Sequence, residues 1–189
     1  MLLDPSRHPR TAARTGLAGR PWRHRAAVAA PLTISLSTGV GAAPTPLAAF
    51  DAALCAVGAG NLNLVRLSSV IPPGARLTHT PRLVHEAGWG DRLYCVYAEQ
   101  HADEPGARAA AGVGWVRALD GSGAGLFVEH HGADEADVAR QVRASLGAMT
   151  RARGGGFSEP EMRTVSAVCT DEPVCVVALA AYRAESWAA

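Results

Sequence analysis

The spacing of hydrophobic and polar residues changes several times along the chain, and each change predicts an element. In "TISLSTG", residues 33 to 39, hydroxyls recur at period two, which predicts a strand. "PTPLAAFDAALCAVGAG" then supplies Thr45 as a helix cap, Pro46 at the first helical position and Gly58 as a stop, for a helix of about three turns. Leu47, Phe50, Leu54 and Val57 recur at spacings of three and four, and this stripe is expected against apolar surface. A strand over 61 to 68 must end before Pro72-Pro73-Gly74, because proline cannot donate to a ladder. Further strands are expected at 92 to 99, 109 to 118 and 125 to 131, apolar at most positions and therefore covered on both faces. Residues 133 to 152 read as a helix with Val138, Val142, Leu146 and Met149 inward, acids near its start and arginines near its end, as the helix dipole favours. "GGG" at 154 to 156 breaks it, and final strands at 162 to 169 and 174 to 182 flank a turn at "TDEP". More strands than helices, with the helices far apart in sequence, argue for an α+β layered fold.

Composition narrows the function. The 189 residues suit one domain, 48% hydrophobic and 19% charged residues are globular, and a net charge of +1 gives no strong field for nucleic acid. All 18 basic residues are arginines. Without lysine, neither a pyridoxal phosphate enzyme nor a P-loop is possible. Cys55, Cys95, Cys169 and Cys175 lack the short spacing of a zinc site and read as buried free thiols in a cytoplasmic protein; Cys169 and Cys175 are placed to face each other across a hairpin. Residues 1 to 30 read as a disordered or over-extended tail ahead of a single domain over 31 to 189, and six arginines in the first 25 residues fit that reading. The stretch "RPWRHRAAVAAPLTISLSTGVGAAP" resembles a secretory signal only loosely, because Pro31 interrupts its apolar part.

The distinctive motif is Ser68-Ser69 in "GNLNLVRLSSVIPPGARL", two serines at the end of a strand forced into a double-proline corner. With "PTPLAAFDAAL" before it and "GLFVEHHG" after it, this block resembles the pyruvoyl-dependent arginine decarboxylase family, and the resemblance runs from about residue 33 to 183. It implies an αββα sandwich of mostly antiparallel sheets with helices outside. It also implies that the chain cuts itself between Ser68 and Ser69, the Ser69 hydroxyl attacking the Ser68 carbonyl and residue 69 becoming a covalent pyruvoyl cofactor. That keto group would form a Schiff base with the amine of arginine, supplying the electrophile that the lack of lysine denies, and carbon dioxide would leave to give agmatine; no metal is needed. The same resemblance makes Glu129 the proton donor, Asn63 a support around the pyruvoyl group, Asp51 the partner of the substrate guanidinium and Ser68 a second substrate contact. Its members are trimers or paired trimers with sites between subunits, so Glu129 is expected to be able to come from a neighbour; no nucleic acid or membrane partner is implied.

Other readings are weighed against this one. His130 and His131 follow Glu129, and in a strand only His131 shares its direction, too few ligands for a metal but enough to tune the carboxyl. "GAGNLN" and "GSGAG" fail the dinucleotide fingerprint, and Ser69 lacks the G-x-S-x-G elbow of a serine hydrolase. The surviving alternatives are the same chemistry on another amino acid such as histidine, and a non-catalytic homologue with an assembly role.

Overall fold

The computed structural model describes residues 31–187, so the readings made for residues 1 to 30 lie outside it. The chain runs β1 (Thr33–Ala42), α1 (Pro46–Val57), β2 (Asn63–Arg66), β3 (Val70–Ile71), β4 (Arg76–His79), β5 (Arg92–Ala102), β6 (Arg108–Arg117), β7 (Gly125–Gly132), α2 (Glu135–Ala152), β8 (Glu161–Val168) and β9 (Val174–Glu185). One sheet has the order β2-β5-β9-β1-β4 and the other β3-β7-β6-β8. All pairs are antiparallel except the two at the ends of the larger sheet, β2 with β5 and β1 with β4. The α+β class follows, in the expected αββα layering.

Period two along the central strands produces the layers. On β9, Val174, Val176, Ala178, Ala180 and Tyr182 face the core between the sheets, where Ile34, Leu36, Trp115 and Phe127 meet them. The alternate residues Cys175, Val177, Leu179 and Ala181 face α1. On the far side Val138, Val142 and Leu146 of α2 pack onto the other sheet, with Met149 at the margin.

The signals at both ends of α1 act as read: Thr45 Oγ1 accepts from the Ala48 amide (3.2 Å) and Gly58 takes a left-handed φ of 83°. Its apolar stripe needs correction. Ala49, Ala53, Leu54 and Val57 are buried, while Leu47 is 77% exposed. The cause lies in β1: a Cβ at Gly41 would stand 2.3 Å from Ala49 O and from Ala53 N, so the helix lies on bare backbone and turns its alanines down.

The two short strands β3 and β4 had no signal in the pattern, being two and four residues long. All four cysteines are free; Cys55 is exposed, against expectation, because it sits on the outer side of α1, and Cys169 and Cys175 lie in separate core clusters and form no bridge. Among the described residues, no helix is long and apolar enough to cross a membrane, and no group of three or more histidine, cysteine or acidic side chains is arranged to hold a metal ion.

Candidate active site

The serine pair lies where the chain leaves one sheet for the other. Along β2 the Asn63 amide donates to Asp91 O (2.7 Å) and the Leu67 amide to Cys95 O (2.9 Å), which ties this stretch to β5. Two residues later the Ser69 carbonyl accepts from the Phe127 amide of β7 (2.8 Å), and β3 continues as the partner of β7. Ser68-Ser69 therefore bridges the sheets. Ser69 makes the crossing at φ 64°, and it is the non-glycine residue with positive φ among the described residues. For an L-residue the left-handed region costs about 1–2 kcal/mol, so the corner holds strained backbone at the expected cleavage point.

Strand β7 brings Glu129 to this corner. The Ser69 hydroxyl donates to Glu129 Oε1 at 2.6 Å, within a single chain, so the carboxyl needs no neighbouring subunit to reach Ser69. Burial raises the Glu129 pKa above the ordinary value of 4.5, while the Ser69 hydrogen bond and the charge of Arg66 pull it partly back. Tyr182 of β9 donates to Val70 O (2.9 Å) and is pushed to higher pKa, chiefly by its own burial and secondarily by the nearby Glu129 charge.

Arg66, Tyr97, Glu99, Gln100, His101, Glu129 and His131 surround a cleft of about 470 Å³ beside the corner. Arg66 Nη2 donates to Tyr97 O (3.0 Å), and its guanidinium carbon lies 4.2 Å from the Tyr97 ring centroid, a cation–π contact. His130 and His131 point to opposite sides, as strand alternation requires: His130 Nε2 meets Ser145 Oγ of α2 (2.8 Å) and His131 Nδ1 meets Gln100 Oε1 (2.7 Å). Ser69 and the Arg66 charge act on the Glu129 carboxyl, while His131 is engaged by Gln100.

The other predicted residues are spread over β2, α1 and the crossing. Asn63 begins β2, and its Nδ2 donates to Gly90 O (2.6 Å); the four steps from 63 to 67 span about 13 Å of strand, so it does not reach Ser69 of its own chain. Asp51 is exposed on α1, its side chain 4.0 Å from Cys55 Sγ. Ser68 is exposed at the crossing itself. Arg66 and Tyr182 escaped sequence reading because their roles arise from β5 and β3, distant in the chain.

The two sides of the Ser68–Ser69 bond are anchored to different strands: the Leu67 amide donates to β5, while Ser69 O and Val70 O accept from Phe127 and Tyr182. Ser69 also faces a carboxyl whose burial favours the neutral acid.

Residues 33–186 match the family described as Pyruvoyl-dependent arginine decarboxylase (PvlArgDC). A pyruvoyl-dependent arginine decarboxylase of Halobacterium salinarum is 37% identical over 153 residues, covering 79% of this chain and 92% of that protein. One of Thermococcus kodakarensis is 36% identical over 138 residues, 71% of this chain and 84% of that protein. A solved structure of pyruvoyl-dependent histidine decarboxylase at pH 8 aligns with a TM-score of 0.40 and 15% identity over 55% of this chain and 54% of its own.

Proposed function

From the premise that the chain belongs to the pyruvoyl-dependent arginine decarboxylase family, we propose that it cuts itself between Ser68 and Ser69 and converts L-arginine to agmatine and carbon dioxide. The observation that supports this most directly is Ser69 itself, at φ 64° with its hydroxyl 2.6 Å from the carboxyl of Glu129.

Ser69 Oγ bonds to the Ser68 carbonyl carbon as the C–N bond breaks, and the hydroxyl proton ends on the freed nitrogen, giving an ester. Loss of the Ser69 Cα proton and rupture of the Cβ–Oγ bond release residue 68 as a carboxylate and leave dehydroalanine at 69. One water then replaces its nitrogen, which departs as ammonia. The domain over 31–189 becomes two chains meeting at this point. The pyruvoyl group so formed supplies an electrophilic keto carbon and an electron sink for decarboxylation.

Glu129 holds the proton that the product carbon requires, and its burial keeps that proton on the carboxyl above the usual carboxylate range. Cleavage strengthens this hold, because it removes the hydroxyl whose hydrogen bond lowers the Glu129 pKa. Asp51 is the proposed partner of the substrate guanidinium, and Ser68 and Asn63 are proposed to complete the site. Because Asp51 and Asn63 are exposed and, in one chain, engage Cys55 and Gly90, we assign them to the site of an adjacent copy in a homotrimer or hexamer.

The test is decarboxylation of arginine by the purified chain and by Ser69→Ala. The wild type should release agmatine and carbon dioxide in equal amounts, and Ser69→Ala should release neither. Agmatine formed by Ser69→Ala would reject the mechanism.

A further inference from the structure

We propose that Arg66 is a positioning residue for self-cleavage, its guanidinium taking the place on β5 that Ser69 would otherwise fill and so keeping the scissile pair out of the sheet. This inference rests on the reading that the chain cuts between 68 and 69. Donors in a parallel strand recur at every second residue. Asn63 N donates to Asp91 O and Leu67 N to Cys95 O, so continuation of the series would join Ser69 N to Tyr97 O. Instead Tyr97 O receives Arg66 Nη2 at 3.0 Å, and the cation–π contact of the guanidinium with the Tyr97 ring helps to hold it there. The Tyr97 ring is backed in turn by Phe50 of α1, with centroids 6.5 Å apart.

Satisfied in this way, the β5 edge makes no demand on the Ser69 amide. Residue 69 is left to adopt φ 64°, to give its carbonyl to Phe127 and its hydroxyl to Glu129. A Ser69 drawn into the ladder would exchange this turn for extended backbone and move its hydroxyl off Glu129, away from the geometry in which Oγ bonds to the Ser68 carbonyl and the C–N bond breaks. Arg66 also places a permanent positive charge in the cleft. Arg66 from β2 and Ser69 act on Glu129, Tyr182 of β9 feels its charge, and Glu99 and His101 of β5 and His131 of β7 line the same cleft. Loss of Arg66 therefore leaves Glu129 protonated to higher pH as well as freeing the β5 edge.

The experiment follows cleavage of newly translated full-length chains by intact mass, from pH 5 to 9, for wild type, Arg66→Met and Arg66→Lys. Thermal unfolding of each Arg66 change is measured in the uncut Ser69→Ala background. Arg66→Met should cut slower by on the order of tenfold or more, the loss of one charged hydrogen bond; because the ionised Glu129 holds the Ser69 hydroxyl more strongly than the neutral acid does, the pH below which cutting slows should also rise. Arg66→Lys, which keeps a donor and a charge, should recover part of the rate, and the unfolding midpoint should hold. Arg66→Met cutting at the wild-type rate and pH profile overturns the inference alone. So does slow cutting that Lys fails to rescue and that is matched by a lowered unfolding midpoint, because a structural role then suffices. A wild-type chain that never cuts overturns the proposed function and this inference together.

Discussion

Ser69 combines a backbone conformation that L-residues avoid with a hydroxyl donating to a carboxyl whose pKa is raised by burial. The strained backbone costs the fold, and both features suit a residue that reacts. Glu129 carries the pH dependence. Its acid form persists above 4.5 in the folded chain, so the stability linked to it is complete below that value and is lost as pH rises through the raised one. Glu129→Gln should therefore gain stability relative to the wild type between pH 4 and pH 8, measured by urea unfolding in the Ser69→Ala background. In the cut enzyme, wild-type turnover should fall as pH rises through the same titration, and Glu129→Gln should lose turnover by about 10²-fold or more while still cutting at least in part. Ser68, Ser69 and Glu129 were legible in the sequence as a motif. Arg66 and Tyr182 were not, because a single strand shows neither the carbonyl nor the carboxyl that its side chains will meet.

Both helices rest on glycines of the sheet beneath them. A Cβ at Gly41 would lie 2.3 Å from the backbone of α1, and one at Gly114 would lie 2.1 Å from Val142 of α2. Gly41→Ala has no flexible side chain to displace, so it should destabilise the domain by about 3 kcal/mol or more, read as a drop in the urea midpoint. The caps and length of α1 could be read from Thr45, Pro46 and Gly58, because capping is local. Its buried face could not, because the stripe through Leu47 assumed an ordinary sheet surface, whereas Gly39 and Gly41 select Ala49 and Ala53. Strands β3 and β4 stayed hidden for a related reason: they are too short to show a period, and they exist because β7 and β1 offer them partners. β3 nevertheless matters most to the site, since it draws residue 69 out of the first sheet.

Cleavage at 68 would divide the fold between two chains. The first would keep β1, α1 and β2, which pair with β9, β4 and β5 of the second. The layering was legible from the order of the elements. The engagement of Asn63 with Gly90 and of Asp51 with Cys55 was not, because strand spacing says nothing about which copy a side chain serves. If those residues complete a neighbour's site, co-expression of Ser69→Ala with Asn63→Ala should restore activity that each lacks alone, since a mixed assembly contains sites with both native residues. Activity no greater than the sum of the two variants would place Asn63 in the site of its own chain.

The most direct measurement is the intact mass of the purified wild-type chain under native and then denaturing conditions. Self-cleavage should give one particle in native buffer that separates on denaturation into a fragment ending at Ser68 and a second fragment beginning at residue 69. The second should be lighter by one ammonia than a fragment that begins with serine. A single uncut chain with no arginine decarboxylase activity would contradict the account.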